Sequence, residues 1–515
     1  MLISCDPFIV KQRLMDYTIC DKRYLITKFI LAPFLLCYFA ACSAMEVPIY
    51  DFPVTYSQNA NDYLSTDGEN YNKTLLSPEY QNLQLKQFYN HYYSSDAQGL
   101  SPWSGQMVTS ALPLMKKVES EILEDFSNQN KPNEDKHYAE NFKEHDQTWL
   151  SRIRDNMDLY ALASSELKEE NRAISITNTY ARALPDSAPD FFHASLPGQG
   201  FPFDNLQESA IWAGTPLYVF SVSKDKAWSL VLTPDGYFAW VKSNDIAYVS
   251  SAFINQWQAA AQHSLIAVTQ TEASIVDDQQ QFHLTGYVGS VFPMIERNSQ
   301  KTSILIPVKN SHNQAMIKTG IINTNASNIM PLTASPKNLV KIINQLKNRP
   351  YGWGGAFFFN DCSQEIKSIF TPFGIWLPRN SAQQAQLSST LDLSKNNADE
   401  RISLLKEKGH PLMTIIYIGG HVMLYVGNKD IGNNRAAAIT YQNVWGMSPE
   451  SHDRRYVIGQ SLFFPLLKHY QENPDVSSLA GKSNFKLVYL DELNLKTDSP
   501  RGFASRFLEQ RNIQN

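Results

Sequence analysis

Apolar residues recur along the chain in distinct rhythms. Met115, Val118 and Ile122 fall at helical spacing, and Trp149, Ile153, Met157 and Tyr160 repeat the pattern, predicting two amphipathic helices. From Ala173 the period shortens: Ile174, Ile176, Leu217, Val219, Trp228, Leu230 and Trp240 sit in short runs separated by turns such as Ser223–Lys226 and Thr233–Gly236, the pattern of a small β-barrel. A helix over Ser251–Ala261 leads to further short strands between Leu265 and Asn325, read as a second barrel. Leu339, Ile342, Ile343 and Leu346 then mark a helix within Ser335–Lys347. Three stretches lack such periods. Glu46 to about Asp96 reads as loops with short helices, Asn128–Glu144 as a surface connection, and Pro185–Thr215 as a long loop inserted in the first barrel.

These 515 residues exceed one ordinary core and imply several domains. A hydrophobic content of 43% excludes disorder over most of the length, and a net charge of −5 without basic runs argues against nucleic-acid binding. Cysteine placement changes the picture more. Four of five lie in the first 42 residues: Cys5, Cys20, Cys37 and Cys42. Arg13, Lys22, Arg23 and Lys28 precede an apolar run, Phe29–Ala41, of signal-peptide length and short of the roughly 20 residues a spanning helix needs. An export signal over residues 1–42 is expected. Cleavage near Ser43 or Ala44, an initiation at Met15 and an uncleaved anchor remain open.

The fifth cysteine, Cys362, follows Gly352, Gly354 and Gly355 and opens a helical pattern whose apolar face is Ile366, Ile369 and Phe370. Asp361 is the expected N-cap and Pro372 the stop, so the helix should end near Thr371. A thiol in a first helical turn meets unpaired backbone N–H groups and the positive end of the dipole, which predicts a lowered pKa and a nucleophile. The competing reading is a small buried hydrophobe.

A cysteine nucleophile needs an imidazole and a group that orients it. Residues 419–427 alternate as a strand that places His421, Met423 and Tyr425 on one face. A loop over Asn428–Arg435 and a second strand, Ala436–Gln442, complete a hairpin. Centring its loop between residues 431 and 432 sets Gln442 opposite His421. A carboxamide oxygen can accept the imidazole N–H, so Gln442 is a chemically adequate orienter. His410 and His452 are the rival histidines and are expected in loops. The histidines lack paired ligand spacing, so neither a metal nor another cofactor is expected.

The runs PYGWGG, Asp361-Cys362-Ser363, FGIWLPRNSAQQ and GHVMLYVG resemble the NlpC-type papain-like peptidases of bacterial cell walls. The wider pattern is similar to a branch with two bacterial SH3-like barrels before the peptidase, and the likeness spans roughly residues 85 to 495. It implies an α+β multidomain chain: a helical N-terminal region at 43–170, SH3-like barrels at 171–250 and 262–328, a papain-like α+β peptidase domain at 334–495 and a tail at 496–515. The run Phe39-Ala40-Ala41-Cys42 resembles a lipobox, which makes Cys42 a lipidation candidate for a periplasmic lipoprotein.

The implied reaction is hydrolysis of the γ-D-glutamyl to diamino-acid bond in peptidoglycan stem peptides or muropeptide fragments. Cys362 would be the nucleophile and His421 the base. Gln442 stands where relatives commonly carry His, and Gln364 replaces a frequent glycine. Tyr351, Asp361 and Ser363 match groups that bind a free N-terminal L-Ala, with Asp204 or Glu208 as the barrel's contribution. A silent wall-binding protein, or an amidase or acyltransferase on the same scaffold, is the alternative.

Overall fold

The computed structural model describes residues 46–49, 54–64, 68–159, 162, 166–387, 389–431 and 436–493. The expected signal segment with Cys42, the tail at 496–515, Tyr160, and residues 432–435 of the expected hairpin loop lie outside these. Among the described residues no helix is long and apolar enough to cross a membrane.

Among the described residues, after a short helical turn at Gly68–Asn72, the N-terminal region is built on three long helices, α1 (Pro78–Tyr92), α2 (Gly105–Asp125) and α3 (Gln147–Met157). The first is absent from the expectation of loops and short helices over residues 46–96. Its buried face consists of Gln81, Gln84, Phe88 and His91, so polar residues occupy positions where the helical period was sought in apolar ones. Gln81 explains such a face: its amide donates to the carbonyls of Leu332 and Phe373 and accepts from the Ala334 N–H. A buried amide is tolerated where its donors and acceptors are all met.

The first barrel is seven strands between Arg172 and Tyr248, with Gln207–Ile211 at one edge and Ile246–Tyr248 at the other. That edge strand lies inside the stretch expected as an inserted loop. Helices α1 to α3 share a core with this barrel through Trp103 and Trp240, whose indoles donate to the Ala173 carbonyl and to Glu119. Helix α4 (Ser251–His263) leads to the second barrel, seven strands from Leu265 to Ile329.

The C-terminal domain places α5 (Pro336–Leu346), α6 (Cys362–Phe370) and α7 (Ala398–Lys408) around one sheet. Its strands are β1 (Glu46–Pro48), β2 (Thr390–Asp392), β3 (Thr414–Tyr417), β4 (Val422–Asp430), β5 (Ala436–Met447), β6 (Arg455–Leu466) and β7 (Lys486–Tyr489), in the spatial order β1-β6-β5-β4-β3-β7-β2. Ile366, Ile369 and Phe370 are fully buried against Val422, Leu424, Ile439 and Tyr441. At about 1.5–3 kcal/mol for each large side chain buried, this contact anchors α6 on the sheet.

The hairpin register departs from the symmetric expectation. Leu424 faces Tyr441 and Tyr425 faces Thr440, with a bulge between Tyr425 and Gly427, where the glycine φ is 145°. Near the site the pairing is displaced by two residues, which brings Met423 opposite Gln442. A slip of two keeps each side chain on its face, so His421 remains a diagonal neighbour of Gln442. The strand also begins one residue after His421, because Gly419 and Gly420, at φ 81° and 73°, form the preceding turn.

Candidate active site

Helix α6 begins as its sequence predicts. The Asp361 carboxylate accepts from the Gln364 N–H at 2.8 Å and from the Ser363 hydroxyl at 3.1 Å, so Cys362 occupies the first helical position. The chain closes on the thiol from the opposite side. The Gly420 carbonyl lies 4.0 Å from Sγ, and the Val422 N–H is directed at the sulfur, so both neighbours of His421 contact Cys362.

The orienting relay can be read from donors alone. The Thr440 hydroxyl donates to the Phe464 carbonyl at 2.7 Å, so its oxygen must accept from Gln442 Nε2 at 3.1 Å. That fixes the amide with Oε1 toward the imidazole, where it accepts from His421 Nε2–H at 2.8 Å. With the proton held on Nε2, Nδ1 is the basic nitrogen. Gln442 is 1% exposed, so its removal would leave a buried donor without an acceptor. Gln442→Ala is expected to lower kcat/KM by about 10- to 100-fold, equivalent to about 1–3 kcal/mol, checked by steady-state kinetics.

Electrostatics correct one expectation. Cys362 is 7% exposed, and burial, reinforced by Asp361, pushes its thiol up to about 12. The Val422 and Ser363 N–H groups and Arg379 act the other way and are outweighed. Burial likewise pulls His421 down to about 4, although Gln442 and Asp361 favour its charged form. In this closed site the resting pair is a neutral thiol and a neutral imidazole.

Asp361 has a partner that the sequence reading overlooked. Arg379, 2% exposed, forks onto it through Nη2 to Oδ2 at 2.7 Å and Nη1 to Oδ1 at 3.1 Å. The same guanidinium donates to Ser363 Oγ at 3.0 Å and to Ser209 Oγ, on the barrel's edge strand, at 2.8 Å. Helix α6 has a second tie to that barrel in the buried ion pair of Lys367 with Asp235.

The glycine-rich approach serves this junction. Gly354 and Gly355 have φ of 56° and 78° and lie on the edge strand, where a Cβ would collide with the Gln207 carbonyl and with the Ala210 backbone. Gln207 Nε2 donates to the Gly354 carbonyl at 2.8 Å.

Among the remaining candidates, Tyr351 is half-buried with its hydroxyl beside Cys362 and Asp361; that hydroxyl is pushed well above its usual range, chiefly by desolvation, and stays protonated. Its ring meets Trp445, which packs on Phe203 of the barrel insertion, and Phe203 in turn meets Trp353. Glu46, on β1, accepts from Trp445 Nε1 at 3.3 Å and from the Gly198 N–H at 2.7 Å, closing that wall.

The two barrel acids differ. Asp204 accepts from Arg182 at 2.8 Å and from the Asp190 and Leu206 N–H groups at 3.0 Å, so it is engaged within the barrel. Glu208 lies near Tyr237, whose surroundings also include Arg379, Asn380 and Asp361. Of the rival histidines, His410 pairs with Asp491 at 2.9 Å, and His452 lies in the turn after Pro449. Among the described residues no group of three or more His, Cys, Asp or Glu side chains is arranged to hold a metal ion.

Comparisons with known proteins agree with this architecture. Residues 348–455 match the NlpC/P60 family model, and residues 189–242 match that of an SH3 domain of the SH3b1 type. The structure is similar to an NlpC/P60 endopeptidase from Photobacterium damselae subsp. piscicida, at 27% identity and a TM-score of 0.72, over 87% of this chain and 99% of that one. An NlpC/P60 family protein from Bacillus cereus ATCC 10987 aligns at 17% identity and a TM-score of 0.39, over 60% of this chain and 98% of that one. Among curated proteins none matches. With its thiol at a helix start and an imidazole just ahead of the adjoining strand, the C-terminal domain contains an NlpC/P60 domain of the cysteine-peptidase type at residues 348–455, and an SH3 domain of the SH3b1 type precedes it in the same chain.

Proposed function

We propose that the chain is a cysteine endopeptidase of peptidoglycan stem peptides, cutting the γ-D-glutamyl to diaminopimelate bond and preferring substrates whose N-terminal L-Ala amine is free. The observation that carries this reading is the Arg379 bridge from Asp361, beside the thiol, to Ser209 on the barrel edge. One buried cation thereby fixes the distance from the nucleophile to the groups around Glu208 and Tyr237, as a peptidase measuring from a free terminus requires. The named endopeptidase activity of the Photobacterium protein supports the reaction class.

In this mechanism His421 Nδ1 takes the thiol proton as sulfur attacks the γ-glutamyl carbonyl carbon. The imidazolium returns the proton to the leaving amine of diaminopimelate, and water activated by the same nitrogen hydrolyses the thioester. Formation of charge only during attack suits a pair that is neutral at rest.

The reading also puts the chain in the periplasm through the export segment, with membrane attachment at Cys42 if that residue is lipidated. Metabolic labelling with a lipid precursor tests the attachment.

Purified protein and Cys362→Ala are to be incubated with L-Ala-γ-D-Glu-diaminopimelate and its N-acetylated form, with products read by mass spectrometry. Diaminopimelate release from the free peptide by wild type alone is expected. No release from either peptide supports a silent wall-binding protein, and acyl transfer to an added amine supports an acyltransferase. The barrel acids separate in the same assay. Glu208→Gln is expected to raise KM for the free peptide by about 10-fold or more, the worth of a charge-assisted contact, while Asp204→Asn leaves the amine preference unchanged.

A further inference from the structure

Three residues after the thiol, Glu365 lies 1% exposed on the face of α6 turned to β5. Its Oε1 accepts from the Tyr441 hydroxyl at 2.6 Å and its Oε2 from Asn360 Nδ2 at 2.7 Å. Asn360 is the residue before the N-cap, and its carbonyl accepts from Asn443 Nδ2 at 2.8 Å and from the Gly352 N–H at 2.9 Å. Tyr441 and Asn443 flank Gln442. One carboxylate thus ties the segment that presents Cys362 to the strand that orients His421.

We propose that Glu365 is a positioning residue for the reaction, and that its ionised form sets the separation between the thiol and the Gln442–His421 pair. Both groups it touches present donors, which only a carboxylate accepts at both oxygens. Once protonated, one oxygen must donate. That proton faces either the Tyr441 oxygen, which must then turn its own hydrogen away, or Asn443 Oδ1, which is buried and accepts no hydrogen bond in the structure. Either way protonation breaks the arrangement in which Asn360 and Tyr441 both donate to the carboxylate. The facing groups are Tyr441 on β5, Asn443 beyond it, Asn360, and Arg349 at the entry to the glycine loop. Burial outweighs all four and pushes the carboxyl up to about 7, so this protonation falls in the physiological range.

This inference rests on the catalytic roles given above to Cys362, His421 and Gln442, but one readout needs no substrate. Full-length wild type and Glu365→Gln, an isostere of the protonated acid, are to be alkylated with iodoacetamide, and modification of Cys362 followed by peptide mass spectrometry. The ratio of the wild-type rate to the variant rate is expected to be near one at about pH 5 and to rise to about tenfold at about pH 9, with kcat following it and KM within about twofold. A ratio that is flat with pH, or below one, overturns the proposal. If Glu365→Gln does not fold, Tyr441→Phe replaces it. Loss of that hydroxyl removes the tie to β5 and moves the transition to higher pH, so Cys362 should react more slowly than in wild type at about pH 7 and at about pH 9, and equally at about pH 5; unchanged reactivity at about pH 9 overturns the proposal. A rising alkylation ratio in protein that cleaves no peptide supports this role for Glu365 while removing the proposed activity.

Discussion

Cys362→Ala, His421→Ala and the double variant are expected to share one residual rate of stem-peptide hydrolysis, about 10³-fold or more below wild type. Nucleophile and base act as a unit, so the second substitution should remove almost nothing that the first left. The electrostatics add a signature in pH. Because burial pulls His421 down to about 4, the base stays deprotonated through mildly acidic conditions, and complete loss of turnover is expected only as pH falls toward that value. The tenfold step assigned to Glu365 lies well above it, so a rate profile should fall in two stages. A single acid limb at the ordinary imidazole value, or strictly additive single variants, would contradict the assignment of His421 as the desolvated base.

Arg379→Ala should have the largest effect on stability. The guanidinium is almost fully buried with four hydrogen bonds, to Asp361 twice, Ser363 and Ser209. Burial opposes its charge, but Asp361, together with Tyr237 and Asp235, outweighs burial and holds it ionised. Deleting one side of such a pair typically costs about 3–5 kcal/mol, because the other charge is left buried and uncompensated. Here that charge is the N-cap of the cysteine helix, and the lost cation is one of the groups favouring the thiolate. A lower urea midpoint and slower alkylation of Cys362 are expected together. Asp361→Asn combined with Arg379→Ala should recover part of the stability, a coupling read from the double-mutant cycle. Arg379→Lys should not substitute, since a single ammonium cannot reproduce the fork.

Features governed by neighbours in the chain were legible in the sequence. The cap at Asp361, the helix to Phe370 and its apolar face follow from residues within one or two turns, and the two barrels announced themselves through short runs and turn residues. Legibility failed where the deciding partner is remote. Helix α1 buries Gln81, which is satisfied by carbonyls more than 200 positions away, and its buried face carries little hydrophobic signature. Ser209 stands 170 positions before Arg379, and no local pattern reveals that this arginine is the hub of the site. The ion pair of Asp204 with Arg182, 22 positions before it, is likewise announced by no local pattern. The thiol is the sharpest case. A helix start favours a thiolate, yet the tertiary packing that buries Cys362 has the larger effect and the opposite sign.

The pairing of β1 with β6 has a consequence for how the molecule comes into being. Beside that pairing, Gln58 grips both the N–H and the carbonyl of Phe463, 405 positions later, and Glu46 holds the indole of Trp445. At about 5–20 residues per second, a ribosome needs roughly 20–80 s to supply those partners. The entropic cost of so distant a closure grows only by about 0.6 kcal/mol for each doubling of separation. Delay is therefore the larger effect: one wall of the cleft cannot exist until nearly the whole chain has been made, and a truncated product would carry Cys362 without the complete groove that presents a peptide to it.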